Sequence, residues 1–167
     1  NSNDMKDLRD TICALSTPPG RSGIAVVRVS GPASLDIFRR LFHRKSRANS
    51  LPPRHAGLGT IKDPTGGWEL DEAIAICYAA PQSYTGEDMV EFSLHGSPVL
   101  VAALLDCLCD CGARPADPGE FTLRAFLHGR LDLAQAEAVH DLIQATTLFQ
   151  ARVAVRQSSG ELSRSLK

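Results

Sequence analysis

Arg130 stands at an elbow. It follows Gly129 inside the stretch Pro118 to Ile143 (PGEFTLRAFLHGRLDLAQAEAVHDLI), where one helical pattern stops and another begins at once. Glycine tolerates the left-handed backbone that a helix end often needs, so backbone geometry more than the side chain itself fixes the arginine's position. A cation held this way suits gripping a ligand and equally suits a solvated turn. Arg28 is the second such group. In Ile24 to Ser30, strand alternation places Ile24, Val26, Arg28 and Ser30 on one face and Ala25, Val27 and Val29 on the other. One charge thus interrupts an apolar face, either reaching water at the strand end or forking onto a carbonyl or carboxylate. Glu91 is the third. In Met89 to His95, Val90, Phe92 and Leu94 face one way, and Met89, Glu91, Ser93 and His95 the other. A carboxylate fixed on a strand can accept two parallel hydrogen bonds from an amidine-like edge such as a pterin or a guanine, or can simply face solvent. His95 is of the type used as a general base, but no nucleophile or second base falls at a readable spacing, and it reads as structural.

The cysteines point elsewhere. Cys107, Cys109 and Cys111 form a C-x-C-x-C run in an apolar helical pattern where only Cys107 and Cys111 share a face. No histidine lies nearby at a zinc-like spacing, so core thiols are expected and no metal site. The total of five is odd and no secretion signal precedes it, which fits reduced thiols.

The elements that must carry these groups can be read in order. Thr11 to Ser16 is a short strand entering the Pro18-Pro19-Gly20 turn, and Ile24 to Ser30 is the next strand. Gly31-Pro32 opens a helix to about Phe42 with Pro32 at N1, followed by a basic, proline-containing loop from His43 to Arg54. His55 to Lys62 and Glu69 to Tyr78 form a hairpin around Asp63 to Gly67. Pro81 to Asp88 is a loop whose Tyr84-Thr85-Gly86-Glu87-Asp88 is dense in hydrogen-bonding groups, and Met89 to His95 is a half-buried strand. Ser97 caps a helix with Pro98 at its first position, running to Gly112, and Ala113 to Ala116 is a short strand. The helix from Pro118 to His128 comes next. After the elbow, Asp132 caps a second helix with Gln135 as its capping-box partner. Val139, Leu142, Thr146, Phe149 and Val153 recur at steps of three and four, so this helix is expected to run on until Ser158-Ser159-Gly160. The reading is an α+β fold: a mixed sheet packed with helices, followed by one long C-terminal helix. Residues 10–131 form one domain, and residues 132–167 begin a helical domain of a larger protein.

Composition sets the bounds. At 167 residues the chain suffices for one domain with a core and the start of another. A hydrophobic share of 43% and a charged share of 22% exclude disordered and fibrous classes. A formal net charge of −1 argues against a broad phosphate-gripping field and therefore against strong direct nucleic-acid binding, although a local basic patch is compatible with it. No stretch approaches the roughly eighteen apolar residues of a spanning helix, and no membrane association is expected. The chain reads as cytoplasmic, with Met5 as its natural start and Asn1 to Asp4 outside the fold.

Several long motifs in order carry a family resemblance. Pro18-Pro19-Gly20-Arg21-Ser22-Gly23-Ile24-Ala25-Val26-Val27-Arg28-Val29-Ser30-Gly31 is one, and Ser83-Tyr84-Thr85-Gly86-Glu87-Asp88 with Glu91 and His95-Gly96 is another. Pro118-Gly119-Glu120-Phe121-Thr122-Leu123-Arg124-Ala125-Phe126 and Leu131-Asp132-Leu133-Ala134-Gln135-Ala136-Glu137 complete the set. From about Asp10 onward the chain resembles the N-terminal region of the MnmE family of tRNA modification GTPases, also called TrmE. The resemblance implies an α+β domain similar to the folate-binding domain of the glycine-cleavage aminomethyltransferase, one that binds 5-formyl- or 5,10-methylene-tetrahydrofolate and makes a homodimer. It implies that the full protein, with the flavoprotein GidA, modifies C5 of the wobble uridine of certain tRNAs using the folate one-carbon unit.

Carried over by motif, the folate contacts fall on Arg28, Glu91 and Arg130. Glu91 would accept from the pterin's N3–H and exocyclic amine, while the arginines face carbonyl, formyl or glutamate oxygens. Where the family usually has Lys after the elbow glycine, this chain has Arg130, which keeps the charge and changes its geometry. No G-x-x-x-x-G-K-[ST] loop occurs in the sequence, so GTP, magnesium and potassium are assigned to a domain outside this chain, and no catalytic residue is assigned within it. Two other readings stand beside this one: a dimerisation scaffold without folate affinity, and a free-standing folate-dependent aminomethyltransferase. The long outgoing helix and the short chain argue against the latter.

Overall fold

The structure is a computed structural model that describes residues 9–44 and 51–159. The start at Met5, the middle of the basic loop and Gly160 lie outside the described residues. In chain order the elements are β1 (Ile12–Leu15), β2 (Ser22–Ser30), α1 (Ser34–Leu41), β3 (Phe42–Arg44), β4 (Ala56–Lys62), β5 (Glu69–Tyr78), β6 (Met89–Gly96), α2 (Pro98–Asp110), β7 (Arg114–Pro115), α3 (Glu120–Leu127), α4 (Leu133–Gln144) and α5 (Leu148–Ser158). Chain packing divides them into two compact units. The first comprises residues 1–83 and 87–117, the second residues 84–86 and 118–167.

In the first unit the strands form one seven-stranded sheet, ordered β3-β4-β5-β6-β2-β1-β7. The β1–β7 pair is parallel and β1–β2, β2–β6, β3–β4, β4–β5 and β5–β6 are antiparallel, so the sheet is mixed. Alternation on β2 and β6 follows the expected faces. Ala25, Val27 and Val29, with Val90, Phe92 and Leu94, form the core against Ile37, Phe38 and Leu41 of α1 and Val101, Leu104 and Leu108 of α2. Phe38, Phe42 and Phe92 make an aromatic cluster at its centre, with centroids 5.1 to 6.3 Å apart. The opposite face carries Arg28 and Glu91. The α+β class with a mixed sheet packed by helices is therefore as expected.

Three local expectations change. Pro32 does not start α1: Gly31 has φ +130°, Ser34 N–H donates to the Gly31 carbonyl, and Thr11 Oγ1 takes the Ala33 N–H, so a turn precedes the helix, whose cap is Ala33. His43 and Arg44, expected in a loop, belong to β3, which pairs Phe42 with Ile61 and His43 with Thr60. Three residues have little propensity of their own; the neighbouring strand and the buried Phe42 ring make this one.

The third change is in the second unit. The expected single C-terminal helix is two helices, α4 and α5, with Ala145 in an extended conformation between them. Thr147 caps α5 by accepting from Gln150 N–H, while Gln150 Oε1 accepts from the N–H groups of Thr146 and Thr147. A second capping box, Asp132 with Gln135, opens α4 as the sequence indicates. The two helices fold back on one another. Gln135 Nε2 donates to the Ser158 carbonyl, and the small residues Ala138 and Ala154 are buried. Among the described residues no helix is long and apolar enough to cross a membrane.

Candidate functional site

Antiparallel register sets Arg28 on β2 directly opposite Glu91 on β6. The two side chains meet across the open face of the sheet: Arg28 Nε and Nη2 donate to Glu91 Oε1 at 3.0 and 2.7 Å. Their side chains keep 24% and 20% of their exposure, so the pair is shielded and yet reachable. Both donors fall on one oxygen. The other, Oε2, accepts the Tyr78 hydroxyl at 3.2 Å. Tyr78 comes from β5, which pairs Ile76 with Glu91 and Tyr78 with Met89, so the tyrosine reaches the carboxylate diagonally. Burial, and then the Glu91 charge, push the Tyr78 hydroxyl above its usual 10.0, with Arg28 working against the shift. It therefore stays a donor at neutral pH. Next along β2, Ser30 Oγ donates to Glu87 Oε2 at 2.7 Å, at the end of the β5–β6 connection.

The second unit holds Arg130. The end of α3 is closed by the bonds a glycine stop supplies: Gly129 has φ +69°, its N–H donates to Phe126 O, and Arg130 N–H donates to Ala125 O at 2.8 Å. Within α3, Arg124 and Glu120 are buried at 0% and 4% exposure and pair at 3.2 Å across one helical turn. His128 Nδ1 lies 2.9 Å from the Arg124 carbonyl. Tyr84 to Gly86 belongs with this unit: the Tyr84 hydroxyl and Thr122 Oγ1 are 2.9 Å apart, and Thr85 is fully buried. Arg130 itself is exposed.

The structure thus joins Arg28 to Glu91 and holds Arg130 in the turn expected for it. Tyr78 and Ser30 were not legible as partners, because the 79–88 connection between β5 and β6 hides their register. His95 also has a partner: Asp71 takes its backbone N–H at 2.9 Å and lies 2.8 and 3.1 Å from its Nδ1. The only advance sign of the Arg124–Glu120 pair is its spacing of four within a helical pattern. The cysteines are free thiols, with Cys13, Cys77 and Cys107 buried. Among the described residues no group of three or more His, Cys, Asp or Glu is placed to hold a metal ion.

Arg28, Glu91 and Tyr78 thus form a hydrogen-bonded polar set on the open face of a mixed sheet, in a chain of the α+β class. Comparison with known proteins makes this particular. The family described as GTP-binding protein TrmE N-terminus matches residues 11–130, and the chain belongs to it. It is similar to proteins named tRNA modification GTPase MnmE. That of Koribacter versatilis is 48% identical over 161 residues, covering 96% of this chain and 36% of the relative. That of Aquifex aeolicus is 48% identical over 160 residues, with 96% and 35% covered, and that of Halorhodospira halophila 52% over 155 residues, with 92% and 32% covered. The chain spans about a third of the length of the curated relatives it matches.

Proposed function

We propose that this chain is the tetrahydrofolate-binding and homodimerisation part of a tRNA-modifying protein, with residues 10–131 as the folate domain and residues from 132 onward beginning a central helical domain. The observation that carries the proposal is the Arg28–Glu91–Tyr78 set, held on an open sheet face within motifs of the TrmE N-terminal family. The donor chemistry fits a reduced folate. Its pterin edge presents two adjacent N–H donors, and Glu91 is an acceptor whose direction the sheet fixes. Arg28 and Arg130 would take the carbonyl, formyl or glutamate oxygens. When bound, the folate supplies a one-carbon unit; the chain's residues bind and orient it. Exposed Ile24, Leu58 and Ile74 on the same sheet favour an interface with a second copy. Exposed Ile143, Leu148 and Phe149 on α4 and α5 favour packing against further helices of a longer protein. GTP hydrolysis, tRNA and GidA belong in this reading to the assembled protein, in the cytoplasm.

The lone pairs of Glu91 set a condition. A carboxylate offers about four acceptor positions. Arg28 fills two and Tyr78 one, so two pterin donors can be accommodated only if one present donor leaves. With three of about four positions already taken, the arrangement also favours the second reading, a scaffold in which Arg28–Glu91 is a structural pair.

Calorimetric titration with 5-formyltetrahydrofolate separates the two. The folate reading expects saturable binding, weakened in Glu91→Gln by about 2 kcal/mol, roughly thirtyfold. The amide preserves an acceptor for Arg28 and sets a donor against the pterin amine. No heat at high micromolar ligand from folded protein would leave the scaffold.

A further inference from the structure

Arg130 presents a puzzle for any ligand-gripping role, because its guanidinium is exposed and makes no hydrogen bond or ion pair among the described residues. A long side chain left in that state loses rotamer freedom on binding, and affinity suffers accordingly. Within the second unit, one neighbour lies close along its stem. A Cβ placed on Gly86 would lie 3.2 Å from Arg130 Cγ and 2.8 Å from His128 Cβ. The arginine stem therefore rests on the bare backbone of Gly86, in space that any other residue would fill.

The floor is itself fixed. Tyr84 is bonded to Thr122 of α3, Thr85 is fully buried, and Gly86 has φ +79°. From the other side, Arg130 N–H is tied to Ala125 O. We infer that Gly86 is a positioning residue for Arg130, the Tyr84-Thr85-Gly86 segment serving as a platform that pre-orders the cation before an anionic or carbonyl-bearing ligand arrives. As a statement about folate it rests on the reading above; as a statement about Arg130 it does not.

The positive φ alone would call for glycine, so the test must part backbone strain from the stem contact. Asparagine tolerates left-handed backbone while carrying a Cβ, which makes Gly86→Asn the informative variant. Nuclear magnetic relaxation of the arginine Nε–H groups, measured without ligand, should show Arg130 more ordered than the exposed Arg54 in the wild-type protein, and in Gly86→Asn as mobile as Arg54. Calorimetry with 5-formyltetrahydrofolate should show Gly86→Asn weakening binding about tenfold, with no further loss when the change is made in an Arg130→Ala background. Arg130 as mobile as Arg54 in the wild type overturns the inference, and so does an equal loss in both backgrounds. A wild-type protein that binds no folate yet shows an ordered Arg130 removes the ligand and keeps the platform. Should Gly86→Asn not fold, the wild-type comparison of Arg130 with Arg54 decides by itself.

Discussion

Burial makes the core thiols poor acids, and the consequence is an alkaline weakness. Cys77 and Cys107 are pushed up from 9.0 to about 11, and Cys13 to about 12, in each case chiefly by desolvation. The unfolded chain therefore releases these protons first as pH rises. Their contribution to stability is complete below pH 9 and is lost as pH climbs through the folded values. The urea midpoint should fall between pH 9 and 11, more steeply than in Cys77→Ala, which lacks one of the three groups. A midpoint independent of pH over that range would show that the thiols are not shielded. At this scale the sequence was readable wherever a period of two assigns a face, as for Arg28 and Glu91. It was silent about Tyr78, whose reach depends on pairing across a long connection, and about Arg124, whose burial depends on packing rather than residue type.

Elements were legible where they carry their own punctuation. Pro98 at the start of α2, Gly129 after α3 and the Asp132–Gln135 box before α4 all stand in the structure as the residues indicate. The break between α4 and α5 is hidden because the apolar steps of three and four, Val139, Leu142, Thr146, Phe149 and Val153, continue across it. Yet Thr147 and Gln150 form a capping box with the spacing used to find Asp132 and Gln135. Periodicity and capping signals conflicted, and the cap won because it satisfies backbone donors that an exposed apolar seam cannot. Thr147→Ala should cost about 1 kcal/mol, seen as a lower urea midpoint and faster amide exchange at Leu148 to Gln150. Unchanged exchange there would mean that the cap does not hold the helix. β3 lay beyond reach for the opposite reason, since it is made by its neighbour.

For the molecule as a whole, the proposed homodimer is open to direct measurement: sedimentation at tens of micromolar should give twice the mass of the 167-residue chain, and a monomer would leave the exposed Ile24, Leu58 and Ile74 without that role. The α+β architecture followed from the order of strand and helix patterns, whereas the strand order did not, because β2 lies between β1 and β6 rather than between β1 and β3. Chain continuity crosses between the two compact units at 83/84, 86/87 and 117/118, so neither unit is a contiguous stretch of the gene. A swap of the helical unit between relatives by a single splice after Asp117 would leave Tyr84-Thr85-Gly86 behind, and the transplanted elbow would meet a foreign tripeptide. Modular exchange of this chain's helical unit must move two pieces together, and the smaller is only three residues long.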